Sequence, residues 1–490
     1  MSIFRTKPVE QSIRETDEPE HRLRRDLSAL DLVAFGIGVI VGTGIFVLTG
    51  QQAAINAGPA IVVSFVLAGI VCALAAMCYA EFASTVPVAG SAYTFAYATL
   101  GEFIAWVIGW DLCLELALGA AVVSRGWSAY LQRLFDLPPW LAGDKAVPDW
   151  GAIFVVAALG IVMIVGMKLS SRVTNILVAV KLAVVLFVIG LGVFFVKGAN
   201  YHPFIPPAQP AAASDGANAP LLQVIAGVTP QHFGWFGILA AAAIVFFAYI
   251  GFDVVATTAE ETRNPQRDMP RGIIGSLVVC ALLYVAVSVV VTGMTKYTNL
   301  NTGAPLARAF DEVGQGWAAH LISLGAICGI TTVILVLMLG QSRVFFAMSR
   351  DGLLPSAVGK VHPRFGTPWL ITIITCAVVA ALAGFIPLSE LSELTSIGTL
   401  FAFVVVSIGV VVLRRTRPDL PRAFRAPGVP WLPAVSVLAS VWLMLNLPVQ
   451  TWVRFVVWMA VGLVLYSLYG RRHSRLRRAG TAPAKQPLKA

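Results

Sequence analysis

Residues 36–50 read GIGVIVGTGIFVLTG and residues 246–261 read FFAYIGFDVVATTAEE. Both lie inside apolar runs, and both are interrupted by glycine at a point where a continuous helix would be expected. Working outward from them, the chain divides into about a dozen apolar stretches long enough to cross a hydrocarbon layer, each needing roughly 20 helical residues. The two glycine-broken stretches are the first and the sixth. Their separation by five spans predicts a five-plus-five inverted repeat in which the breaks occupy matching positions, and paired interrupted helices are the strongest sequence pointer to a transporter binding site.

The composition agrees with this class. Of the 490 residues, 58% are hydrophobic and 12% charged, against about 45–50% and about 25% in soluble domains. The expected fold is an all-α polytopic membrane protein of 12 transmembrane helices, with helices 11 and 12 outside the repeat core. The predicted organisation is an amino-terminal segment 1–26, a first repeat 27–196, an extracellular loop 197–235, a second repeat 236–413, two further spans within 431–470 and a tail 471–490. The loop contains several prolines and shows neither helical nor strand period.

The net charge is +10, yet 27 of the 35 Lys and Arg residues fall in, or at the span ends bordering, one alternating set of connections. That bias follows the positive-inside rule, places both termini in the cytoplasm of a cell-membrane protein, and excludes a nucleic-acid partner. The tail is basic and is expected to touch anionic membrane lipid. The six cysteines all fall in apolar spans without metal or disulfide spacing. The histidines are dispersed, and no H-E-x-x-H, G-x-S-x-G or phosphate-loop motif occurs. The chain is therefore not expected to be an enzyme, to hold a cofactor or metal, or to use ATP, so uphill transport would draw on an ion gradient.

Broken helices suit a zwitterion. Free N–H groups at the start of a half-helix attract a carboxylate, and free carbonyls at the end of the other half attract an ammonium. The N–H groups of Thr43 and Gly44 are expected to face a substrate carboxylate, and carbonyls near Ile40, Phe247, Ala248 and Ile250 its amino group. Gly42 and Gly251 would make the breaks. The spacing Gly38-x-x-x-Gly42 also fits close helix packing, and both readings stand.

Ionisable residues inside the hydrocarbon are functional candidates. Lys181, in VAVKLAVVLFVI, has no acidic residue within a helical turn. It either loses and regains a proton when a neighbour moves, coupling transport to protons, or is a fixed charge capping loose carbonyls at the first break. Asp111 and Glu115, one turn apart in GWDLCLELALG, share a helix face, and Glu115 is either a proton relay or a structural hydrogen-bonding group. Asp253 is expected to cap N–H groups after the second break. The charged run from Glu260 to Arg271 either closes an inner gate or solvates a loop.

The stretches GVIVGTGIFVLTG, PVAGSAYTFAY, FFAYIGFDVVATTAEETRNPQRDMPRGI, GQSRVFFAMSRDGLLP, VHPRFGTPWL and LSELTSIGTLFAFVVV together resemble the cationic amino acid transporter branch of the amino acid, polyamine and organocation superfamily, of bacterial type. The resemblance runs from about residue 25 to 470. It implies alternating access around a site between spans 1, 3, 6 and 8, with proton symport, Lys181 standing where related carriers hold sodium, and Glu115 and Asp253 at acidic positions of the family. Ile330, in GAICGITTVILV, is expected to end the side-chain pocket, so small neutral amino acids are as much expected as cationic ones. An exchanger, a polyamine carrier, a channel and a non-transporting amino acid sensor remain as alternatives, and a small membrane subunit as a partner is left open.

Overall fold

Polar side chains decide where the first helix starts. Ser28 and Asp31 form a reciprocal cap, the Asp31 carboxylate accepting from the Ser28 amide at 2.9 Å, so two otherwise orphaned donors are satisfied before an apolar run. From there α1 runs over Ala29–Ile40. After an interruption the chain continues helically through residues 44–57, turns at Gly58, whose φ of +61° favours glycine, and enters α2, Ile61–Thr85.

The computed structural model describes residues 26–86, 88, 91–165, 171–210, 216–355, 357, 359, 360, 362 and 367–474, with only the backbone of 171–175. The predicted segment 1–26, all but its last residue, and the tail beyond 474 lie outside them. The remaining main helices are α3 Ser91–Thr99, α4 Glu102–Phe135, α5 Trp150–Val165, α6 Ser171–Gly192, α7 Gly234–Val245, α8 Pro265–Met294, α9 Pro305–Glu312, α10 Gly316–Arg350, α11 Trp369–Phe385, α12 Leu388–Thr416, α13 Trp431–Leu445 and α14 Val449–Leu465. Among the described residues, eight helical segments are long and apolar enough to cross a membrane, and four more apolar helices are shorter.

Two helices sit at the centre. Almost all of the apolar window of α4 is buried, as is that of the segment containing α7, whereas only about a fifth of the α14 window is buried. An outer helix in lipid can leave Val and Leu side chains uncovered, because the surrounding solvent is as apolar as they are. Helix α4 packs against α10 and α12, and α8 against α1 and α2. The six cysteines are all free thiols.

The stretch 197–235, expected to be irregular, contains a helical turn at Leu221–Ile225 and two short strands, β1 Gln209–Pro210 and β2 Gln231–His232, paired antiparallel. Tertiary hydrogen bonds hold the helical turn: the Leu221 amide donates to the Leu447 carbonyl at 3.0 Å, and the Val449 amide to Ala219 at 3.0 Å. Helices α3 and α9 were likewise absent from the sequence reading, being too short to span.

Candidate functional site

The first break is a matter of missing amides. The Val41 N–H closes the last turn of α1 on the Ile37 carbonyl at 3.0 Å, and Val41 then turns extended, with ψ +98°. Helical bonding resumes only when the Ile45 and Phe46 amides donate to the Gly42 carbonyl at 3.2 and 3.3 Å. Carbonyls in between lose their helical donors, and buried carbonyls need replacements.

Two side chains supply them. The Lys181 ammonium, fully buried on α6, donates to the Gly38 carbonyl at 2.6 Å and to Val41 at 3.3 Å. The Tyr284 hydroxyl, on α8, lies 2.8 Å from the Ile40 carbonyl and 2.9 Å from that of Ala248. One hydroxyl hydrogen serves both carbonyls in turn, so Tyr284 spans the two breaks. Tyr284 is seated by Tyr249 and Phe65, at ring-centroid distances of 5.2 and 5.8 Å.

At the second break a short tight helix, Phe246–Tyr249, gives way to extended Ile250 (ψ +136°) and to Gly251 at φ +125°. That conformation favours glycine, and a Cβ at Gly251 would also stand 2.8 Å from Val39. The Gly251 amide donates to the Asp253 carboxylate at 3.2 Å. Where the breaks cross there is no room for a side chain: a Cβ on Gly44 would come within 2.3 Å of the Ala248 Cα. Segment 44–57 is tied to α4 by Thr43 donating to the Val123 carbonyl (3.3 Å) and Tyr130 to Phe46 (2.8 Å).

Between these elements lies a cavity of about 20 Å³, lined by Val39, Ile40, Gly42, Thr43 and Gly44, by Phe247 and Ile250, by Gly119 and Val123 of α4, and by Val333 and Leu337 of α10. That is space for about one water molecule, so a solute must widen it. Val39 also lines a larger cavity of about 270 Å³ that extends past Asp31, Thr258 and Arg343 toward Leu27 and Glu261. Arg343 and Glu261 stand 3.8 Å apart across its mouth.

The structure therefore brings Ile40, Gly42, Thr43, Gly44, Phe247 and Ile250 around one space. Ala248 sits behind it against Gly44, and the carbonyls of Ile40 and Ala248 already accept from Tyr284. Ile330 is fully buried on α10, one turn before Val333, and Val333 and Leu337 rather than Ile330 line the cavity. Lys181 lies behind α1. Glu115, buried one turn before Gly119, faces α12, where Gly398 lies against it and Asp111. Among the described residues, neither Asp111 oxygen has a hydrogen-bond partner, nor has Glu115 Oε1. Sequence reasoning passed over Gly119, Val123, Val333, Leu337 and Tyr284. A signal for Tyr284 existed, since a tyrosine hydroxyl, too long to bond back within its own helical turn, in GSLVVCALLYVAVSVVV needs an acceptor elsewhere.

A model of the amino acid permease family matches residues 27–467, and this chain belongs to that family: it is a multi-pass membrane transporter, not an enzyme. It is 46% identical over 488 residues to the methylthioribose transporter of Bacillus subtilis (strain 168), covering 97% of this chain and 100% of the relative. It is 45% identical over 488 residues to the branched-chain amino acid permease BcaP of the same organism, covering 97% and 99%. Cationic amino acid transporter 4 of Homo sapiens is 30% identical over 601 residues, covering 96% and 90%. The expected resemblance to that transporter branch is borne out.

Proposed function

We propose that the protein carries neutral, apolar amino acids of small to branched size across the cell membrane, by proton symport with alternating access. The observation that carries the substrate reading is the lining of the central cavity: apart from the backbone at the breaks and Thr43, its side chains are Val, Ile, Phe and Leu, with no charged group. A buried cationic side chain would need a partner there. The name of the branched-chain permease relative agrees with this choice over arginine or lysine.

In this reading the chain forms 12 spans in a five-plus-five inverted repeat with helices 11 and 12 outside it, and both termini are cytoplasmic. The amides of Thr43 and Gly44 hold the carboxylate, and the Phe247 and Ile250 carbonyls, with the free lone pair of Ile40, hold the ammonium. Ala248 sets the crossing of the breaks, and Gly42, Gly251 and Asp253 maintain them. Ile330 bounds the pocket only indirectly, through Val333. Lys181 couples transport by leaving and regaining the Gly38 and Val41 carbonyls as its proton comes and goes, and Glu115 relays protons from the other side of α4. A positive charge already bonded at the break repels sodium, which favours protons.

A second reading has its own support in the similarity to a methylthioribose transporter: the same cavity would take a neutral thioether sugar. Uptake of radiolabelled leucine, alanine and arginine into proteoliposomes, under an inward proton gradient, a sodium gradient or neither, tests both readings when unlabelled methylthioribose is added as competitor. Proton-stimulated leucine or alanine uptake, resistant to the competitor, is expected. Uptake indifferent to protons points to an exchanger, and amino acid uptake that is absent, or is abolished by the competitor, overturns the substrate.

A further inference from the structure

At the end of the bundle opposite Leu27 and Glu261, a cavity of about 330 Å³ is bounded by the far end of segment 44–57, by α7, by the starts of α12 and α14 and by the loop carrying β2. Its volume is in the range of ligand pockets, whereas the central cavity admits about one water. Charges of both signs line it. Arg454 pairs with Glu390 at 2.7 Å, at the partly exposed rim. Glu393, one turn further along α12, accepts from the Thr451 hydroxyl at 2.9 Å and has no ion-pair partner among the described residues.

The inner wall is polar too. Asn446 is 1% exposed, and its Oδ1 accepts no hydrogen bond from the described residues. Across from it, Asn56 donates to Gln52 Oε1 at 2.7 Å, and its own Oδ1 lies 3.0 Å from His232 Nδ1. This wall is aligned with the central site: Ala240 and Ile244 line the outer cavity and Phe247 the inner one, and spacings of four and three residues put all three on one helix face. About one helical turn, roughly 5 Å, separates the two spaces along that face.

We propose that this cavity is a second amino acid site, which holds the substrate's ammonium on Glu393 and its carboxylate on Arg454 before it reaches the central cavity. A carboxylate that makes no ion pair among the described residues, with a guanidinium nearby whose existing pair is partly exposed to water, matches the two ends of a zwitterion, and the Asn446 oxygen offers the ammonium a further acceptor. The proposal rests on the amino acid reading given above and adds to it a waiting position with its own residues.

The test is the stoichiometry of radiolabelled leucine, alanine and arginine bound at equilibrium, each separately, to the full chain purified in detergent. Two molecules per chain are expected for at least one of them. Glu393→Gln should lower the count to one. So should Arg454→Gln, a change at the partly exposed rim that leaves the helical core untouched. Gly42→Val, whose Cβ meets only Val333 at an ordinary 3.4 Å, should fill the central cavity and remove the other molecule. A wild-type count of one, unaffected by Glu393→Gln and Arg454→Gln but abolished by Gly42→Val, overturns the second site and leaves the transport reading intact. No binding of any of the three amino acids overturns the transport reading and the outer site with it.

Discussion

The Lys181 ammonium stands 2.6 Å from the carbonyl oxygen of Gly38, inside a protein whose first helix ends two residues later, at Ile40. A charge-assisted bond of this kind contributes about 1.5–3 kcal/mol, and removing one partner leaves the other buried and unpaired. Lys181→Met, similar in length but without a donor, should lower uptake kcat/KM on the order of 10- to 100-fold, each 1.4 kcal/mol being tenfold. Lys181→Arg separates the two roles considered for this residue. A fixed cap predicts that arginine retains proton-stimulated uptake; a proton carrier predicts that it retains binding but loses stimulation, because a guanidinium does not release its proton. Binding and gradient-driven flux, measured side by side, decide between them.

Tyr284→Phe keeps the ring against Tyr249 and Phe65 and removes only the hydroxyl that reaches Ile40 and Ala248. The expected loss is about 1–3 kcal/mol for the unsatisfied carbonyls. Since the loss falls on the substrate-facing breaks, it should show as weaker binding, with KM raised several-fold, and only a small drop in melting temperature, about 1–3 °C for a chain of this size. A variant that melts normally and binds normally would show that the bridge is idle.

Two glycines in the same cavity should respond oppositely to alanine. At Gly119 an added Cβ finds Leu337 at 3.4 Å and Thr395 at 3.8 Å, ordinary contacts. Gly119→Ala should therefore fold, narrow the pocket and shift selectivity from leucine toward alanine, as read by competition for uptake. At Gly44 the same methyl would lie 2.3 Å from the Ala248 backbone, so Gly44→Ala should lose activity for every substrate, together with thermal stability. Equal behaviour of the two variants would remove the assigned crossing.

Asp149, in the loop before α5, accepts from Ser128 Oγ at 2.5 Å and from the Ala152 amide at 3.0 Å. Burial pushes its carboxyl up to about 6, against the opposing pull of the Ser128 and Ala152 hydrogen bonds. The folded state thus binds this proton more tightly than the unfolded chain does. The resulting stabilisation is complete below about pH 4, where both states are protonated relative to it, and is lost as pH rises through about 6. Asp149→Asn keeps an oxygen for both donors and does not titrate, so its melting temperature should rise relative to wild type between about pH 4 and pH 7. A constant difference across that range would mean that Asp149 has an ordinary carboxyl.

Much of the site could be read in the chain because its glycines are local signals. Gly42 and Gly251 disrupt apolar helices wherever they are folded, and a lysine in VAVKLAVVLFVI requires a buried acceptor whatever the partner. Gly119, Val333 and Leu337 were not legible, because an apolar residue on an apolar helix gives no sign of which face meets a cavity and which meets lipid or core. Ile330, expected at the pocket's end for that reason, lies one turn before the residues that line the cavity. The elements of the 197–235 loop were hidden differently: the turn at Leu221–Ile225 is held by bonds to Leu447 and Val449, more than two hundred residues away in sequence, and the two short strands by each other across about twenty residues.

Gly44 and Ala248 touch backbone to backbone, and that contact has a mechanical meaning. With only the Ala248 methyl at the crossing and no longer side chain to act as a compliant spacer, the two irregular stretches would turn as a single fulcrum, a swing of either arm loading the other. A force applied by a solute on one side of the crossing is thus handed directly to the opposite arm, with no slack to absorb it.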